Sequence, residues 1–228
     1  MSTHTFGVTG SDPFGIATAD FVLKGIAPSE TYTPVIADDG IGEYVSASQK
    51  SVGGKTTISA TYGSIIITAV AALEITAGSA AAAALESVTV STNKGTHATG
   101  TARGHSHVGG TNSNHNDTTR TLTIPSFAGF GASAFGLTLG VPEASLQSSS
   151  YTIELGHTDE DDKDGNFLAG TCHGEKHTAT FEAVDETAWS TPLGWVLADK
   201  TPDASNVESN SGHMRRRATF VKYIDGPT

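Results

Sequence analysis

The sequence predicts a mainly β chain, built of β-sandwich or barrel modules with a short flanking helix. Three observations lead there. Charged residues make up only 16% of the 228-residue chain, against roughly 25% in ordinary soluble domains. Glycine, serine, threonine and alanine fill much of that share, which suits strands and turns better than helix bundles. Several short segments also alternate apolar and polar side chains with the period of two that a half-buried strand needs.

The elements follow in order. Ile58, Ala60 and Tyr62 alternate with Thr57, Ser59 and Thr61, which reads as a strand with one wet face. Ile65, Ile66 and Ile67 form a β-branched run, read as a buried strand. Ser79 precedes Ala80 to Leu85; a serine N-cap before alanines predicts the short helix, which ends where Glu86 to Val90 regains strand character. TLTIP, after Arg120, is a short strand. Phe127, Phe130 and Phe135 are apolar anchors among glycines and alanines. Tyr151, Ile153 and Leu155 alternate with polar neighbours, as do Ala179, Phe181 and Ala183. Asp185 can cap a helix over 186–198 that Pro192 and Gly194 make irregular. RRRATFVKYI reads as the last strand.

Between these elements, residues 91–120 carry only Ala98, Ala102 and Val108 as apolar side chains. Such a stretch offsets little of its ordering entropy and is expected to be a long polar arm or linker. The organisation predicted is therefore a first β module over 1–90, the arm over 91–120, and a second β module over 121–228.

The two modules echo each other. HTFGVTGSDPFGIATADFVLKG and RTLTIPSFAGFGASAFGLTLGV share an order of features, each with a PFG or AFG element. Tyr32 and Tyr151 then precede an acid-glycine turn, a lysine and an alternating strand. The offsets are similar, 151 − 32 = 119 for the tyrosines and 176 − 55 = 121 for the lysines. A near-constant offset suggests an internal duplication.

Composition also bounds function. Thirteen basic residues against 24 acidic ones give a net charge of −11, which disfavours a general grip on nucleic acid. Cys172 is the single cysteine, so no intrachain disulfide is expected, in keeping with a chain made in a reducing cytoplasm. The N-terminus lacks the basic and apolar regions of a signal peptide, and the run from Ile65 to Leu73 is too short to span a membrane.

Each candidate site competes with a plainer reading. Glu160, Asp162, Asp164 and Gly165 fit the first half of a calcium loop, but position twelve is Thr171 where a glutamate is required. Asp-Gly-Asn is strong turn chemistry, so the tip of a hairpin is preferred. His97, His105, His107 and His115 lie in the polar segment. His105 and His107 share a strand face and suit zinc, nickel or iron; without a further local ligand they read as polar loop histidines, unless an oligomer axis gathers several copies. Some phage fibre tips use His-x-His in that way, and the resemblance is slight. Cys172 and His173 are adjacent, so on a strand they point apart and make no nucleophile pair. No phosphate loop, zincin or nucleophile-elbow motif is present; the expectation is a chain that is not an enzyme and takes no cofactor. Arg215, Arg216 and Arg217 guard an edge strand, or dock the acidic tip of a neighbouring subunit.

In its doubled β modules, helix and long polar arm the chain resembles bacteriophage tail structural proteins, most of all tail tube proteins. The resemblance is one of architecture over most of the chain and carries no signature motif. It implies a tail-tube-like fold, and subunits that form hexameric rings, or trimers of duplicated modules, stacked into a tube in the virion tail. DNA would pass through without specific binding, past a negative lumen. Partners would be the chain itself and other tail proteins, with no membrane. The implied contacts between subunits involve His105, His107, His115, Asp159, Glu160, Asp161, Asp162, Arg215, Arg216 and Arg217. Two alternatives stay open: another virion component such as a baseplate, connector or capsid-decorating protein, or a receptor- or glycan-binding module using Trp189 and Trp195.

Overall fold

The computed structural model describes residues 12–38, 44–77, 83–107, 120–161, 167–184, 189–203 and 215–224. Twelve strands run through them: β1 Phe21–Asp38, β2 Tyr44–Ser64, β3 Ala69–Val70, β4 Leu73–Ala77, β5 Ala84–Asn93, β6 Thr99–His107, β7 Arg120–Ile124, β8 Phe127–Ala128, β9 Leu146–Asp161, β10 Phe167–Val184, β11 Val196–Asp203 and β12 Arg215–Ile224. Eight of them make one sheet in the order β1-β2-β6-β5-β9-β10-β12-β11, and every pairing is antiparallel. The fold is mainly β, as expected.

The sheet is one four-stranded pattern used twice. β1 and β2 form a hairpin, β5 and β6 form another, and β2 pairs with β6. β9 and β10, β11 and β12 repeat this, with β10 paired to β12. The irregularities repeat too. A bulge at Lys24, between Leu23 and Gly25 of β1, matches one at Gln147, between Leu146 and Ser148 of β9. A bulge at Glu86 in β5 matches one at Ala198 in β11. Bulges are specified features of a ladder, so their recurrence argues for a true structural repeat. Lys55 and Lys176 are equivalent, as the echo suggested, for each lies three residues before a matched pair, Ile58 opposite Gly104 and Ala179 opposite Phe220. The tyrosines are not. Tyr151 lies opposite Ala179, and the residue opposite Ile58 is Pro28.

The core forms on one face. Ile58, Ala60, Tyr62, Val88, Val90, Tyr151, Ile153, Ala179, Phe181 and Phe220 are buried there with Leu73, Ile75, Leu122, Ile124 and Phe127 from the short ladders β4–β7 and β3–β8. A PFG or AFG turn belongs to each half. Phe14 and Phe135 are both buried, and Gly15 and Gly136 follow in the left-handed conformation at φ 66° and 68°. A side-chain oxygen holds each turn, Asp12 Oδ1 accepting from the Phe14 amide at 3.1 Å and Ser133 Oγ from the Phe135 amide at 3.2 Å. Among the described residues the anchors Phe127 and Phe135 are buried, whereas Phe130 is exposed.

Four expectations are corrected. The described part of the alanine segment, Ala83 to Leu85, is not helical: Ala84 opens β5 opposite His105, because strand pairing outweighs a small helix preference; residues 78–82 lie outside the described ones. The irregular helix over 186–198 is absent where it is described: 189–195 has no helix and Val196 begins β11, in keeping with Pro192 and Gly194. Ile65 and Ile67 are exposed rather than in a buried strand, since β2 ends at Ser64 and its hydroxyl binds the Ile66 amide in a turn. The expected arm is sheet as far as His107, and 108–119 lie outside the described residues. The apolar groups that cover β6 come from elsewhere: a Cβ on Gly100 would lie 2.6 Å from Phe21 Cζ, and one on Gly104 2.7 Å from Phe14 Cε1.

Gly104 is therefore a steric requirement. A Cβ there would also lie 2.0 Å from the Ala84 carbonyl oxygen, a backbone atom that cannot rotate away. Gly104→Ala should lower unfolding free energy by about 3 kcal/mol or more, at or beyond the upper end of overpacking costs, as read from urea denaturation. A loss under about 1 kcal/mol would mean that β5 and β6 separate easily.

Candidate functional site

The sheet offers two open edges, one open face and two unlike ends. Among the described residues β1 and β11 are the outermost strands, each with a partner on one side only. The internal seam shows what such an edge meets when paired. There β5 binds β9 over seven rungs, from Ser87 opposite Glu154 to Asn93 opposite Ser148. Ala84 and Leu85 of β5 are 4% and 2% exposed; their counterparts on β11, Val196 and Leu197, are 64% and 38% exposed. Ala84 and Leu85 lie just beyond the first rung of that seam, Ser87 opposite Glu154.

The open face is a field of hydroxyls. Thr61, Thr101, Thr89, Thr152 and Thr178 lie on one rung across five strands. Thr99, Ser91, Ser150, Thr180 and Thr219 lie on the next. Thr89 and Thr152 hydroxyls meet at 2.9 Å across the seam, and those of Thr180 and Thr219 at 3.2 Å. Two ion pairs lie on this face, Lys176 Nζ 2.8 Å from Glu154 Oε2 and Arg215 2.8 Å from Glu182 Oε1, and Arg103 and Arg217 are exposed on it too. The hydrogen bond to Glu154 raises the Lys176 pKa further.

The ends differ in charge. Asp161 lies opposite Phe167, so residues 162–166 connect β9 to β10, as a hairpin requires. The acidic segment from Asp159 thus marks the same end as the β1–β2 connection, whose sequence is also acid-rich. Arg215, Arg216 and Arg217 begin β12 at the other end, where Arg217 faces Glu182 and Glu182 faces Ser148. Thirteen residue steps along β9 lead from Ser148 to Asp161, roughly 40 Å of strand. Acidic tip and arginine run cannot meet within one chain.

The histidines are distributed differently from expectation. His105, expected among the contact residues, is buried at 1% exposure. It donates from Nδ1 to Glu86 Oε1 at 2.8 Å, and its Nε2 lies 3.7 Å from Asp159 Oδ2. His157 packs edge-on against it and donates from Nε2 to the Leu85 carbonyl at 2.6 Å. This network fills the top of the internal seam, where β5 bulges at Glu86. Among the described residues no group of three or more candidate ligands could hold a metal. His97 is exposed against Phe130. His107 ends β6, and His115 and Asp162 lie outside the described residues, as do Asp164 and Gly165 of the calcium candidate. Glu160 and Thr171 are exposed on the two strands of the hairpin.

Cys172 is buried, whereas His173 is exposed and meets the Thr158 hydroxyl at 2.9 Å. Trp189 and Trp195 are partly buried against the core; Trp195 packs on Tyr151 and His177, Trp189 on Phe181. Sequence reading missed the chain from Tyr151 through His177 to Glu175. Burial raises the tyrosine pKa, so its hydroxyl keeps its proton and donates to His177 Nδ1 at 2.7 Å. At 3% exposure Tyr151 is out of reach of any substrate, and the chain acts as a brace. It also missed Glu86, a bulge residue with no local signal. No helix among the described residues is long and apolar enough to cross a membrane.

The Glu86 carboxyl is held below its usual pKa chiefly by the His105 hydrogen bond, against the opposing effect of burial. A depressed acid stabilises the fold above its unfolded pKa, and that contribution is lost as pH falls through the folded value. Glu86→Gln should lower Tm at pH 7, and the gap should close as pH falls below the ordinary glutamate range. A gap that persists at the acid end would remove the ionised carboxylate from this role.

The sequence matches no family model, and no curated protein matches it significantly.

Proposed function

We propose that this chain is a structural protein that assembles with copies of itself into closed rings, which stack into a tube of the kind that forms a bacteriophage tail and conducts DNA. One observation carries the reading: a doubled four-stranded unit ends in two open strands, and its own internal seam supplies the template for joining them. Eight alternating strands are an even number, so β11 of one copy meets β1 of the next antiparallel. Closing the ring removes both edges, the only complete remedy for an exposed ladder.

Three copies give 3 × 8 = 24 strands and six equivalent units. At strand spacing and tilt typical of barrels this ring is roughly 48 Å across between backbones, against roughly 32 Å for two copies. The wider ring passes a hydrated duplex. The core face is already occupied by β3, β4, β7 and β8, so the hydroxyl face lines the lumen. Its wall is mostly neutral hydroxyl with few arginines, which holds phosphate weakly and needs no strong negative field to release it. That replaces the expected negative lumen, and the chain's excess of acid is read as belonging to the loops. The unlike ends support stacking head to tail, acidic tips of one ring against Arg215 to Arg217 of the next; such complementarity fixes register and suppresses inverted stacking.

Negative-stain microscopy of the purified chain over a range of concentrations tests the reading. Rings that stack into hollow tubes are expected, and tubes should shorten as salt screens the ends. Solid aggregates, or particles without a lumen at every concentration, would refute it.

A further inference from the structure

We propose that β11 of one copy pairs with β1 of the next in the register that β5 holds with β9 inside the chain. The pairing deepens the self-assembly reading above and rests on it; the partner is a second copy of this chain. At the internal seam Val88 lies opposite Ile153, Thr89 opposite Thr152, Val90 opposite Tyr151 and Ser91 opposite Ser150. The matched bulges transfer these positions. On β11 the counterparts are Lys200, Thr201, Pro202 and Asp203, set by the shared rung of Ala102 and Ala218. On β1 they are Glu30, Ser29, Pro28 and Ala27, set by the partners they face on β2.

The transferred register is chemically coherent. It sets Lys200 opposite Glu30, an opposite-charge rung where the internal seam has two aliphatic residues. Thr201 falls opposite Ser29, matching Thr89 and Thr152, whose hydroxyls touch at 2.9 Å. Val196 and Leu197, 64% and 38% exposed, lie just beyond the end of this ladder and stand to lose exposure when the joint forms. Pro28 falls opposite Pro202, and neither has an amide hydrogen, so that rung adds no ladder bond. The seam between copies is therefore weaker than the one within the chain. Prolines on both edges also restrain pairing between stray chains, so the joint forms once other ring contacts hold the copies together.

Disulfide trapping tests the register. Directly opposite residues of antiparallel strands have the Cα separation that a disulfide accepts. Thr201→Cys with Ser29→Cys, oxidised at assembly concentrations, should move the chain from monomer to bands at multiples of its mass. Thr201→Cys with Gly25→Cys, displaced by about 13 Å along β1, should stay monomeric. Lys200→Glu added to the first pair should abolish cross-linking by setting like charges opposite, and Glu30→Lys should restore it. The register is overturned by equal trapping of both pairs, by a fast-migrating monomer in which β11 closes on its own β1, or by no cross-link either in rings seen by microscopy or at any concentration. Cross-linked rings that never stack would remove the tube and leave the register standing.

Discussion

A strand's backbone donors and acceptors must be answered, and the seam between β5 and β9 is where this chain answers them for itself. The other main ladders join strands of the same four-stranded unit. This one joins two units through seven rungs, and it makes one sheet out of a repeated pattern. Among the described residues the outer edges of β1 and β11 have no strand beside them. The repeat therefore contains both a filled and an unfilled version of one joint.

The two units solve packing in opposite ways, which explains how a structural repeat survives with little identity. In the first, glycines in β6 leave hollows at Gly100 and Gly104, filled by Phe21 and Phe14. In the second the counterpart of Gly104 is Phe220, and the counterpart of Ala60 is Phe181, so the sheet supplies the bulk itself. Core volume is what close packing constrains, and bulk can come from either side of an interface. The bulges at Lys24 and Gln147, and at Glu86 and Ala198, keep their places because they set strand direction and not volume.

Alternating segments were legible because the sheet has one buried and one open face. Ile58, Ala60, Tyr62, Tyr151, Ile153, Ala179, Phe181 and Phe220 all fall on the buried side. The alanine segment was misleading because local preference there is worth tenths of a kcal/mol, while pairing with β6 engages a whole ladder. Residues 91–107 read as an arm because their own side chains are small and polar; their burial depends on phenylalanines distant in sequence. The histidines misled for a related reason. His105 reads as a loop histidine until Glu86 from β5 and His157 and Asp159 from β9 converge on it.

The sequence by itself determined the class of fold, the wet and dry faces of the main strands, the acidic hairpin connection and the presence of an echo between halves. Each depends on spacing within a few residues, or on the order of such patterns, and period and composition carry it. Tertiary structure alone decided which strands are neighbours, where the repeat's register runs, that β6 lies inside the sheet, and that acidic and basic segments stand at opposite ends. Those depend on pairing between strands far apart in sequence, where a shift of one residue exchanges the faces and only the assembled core selects among registers.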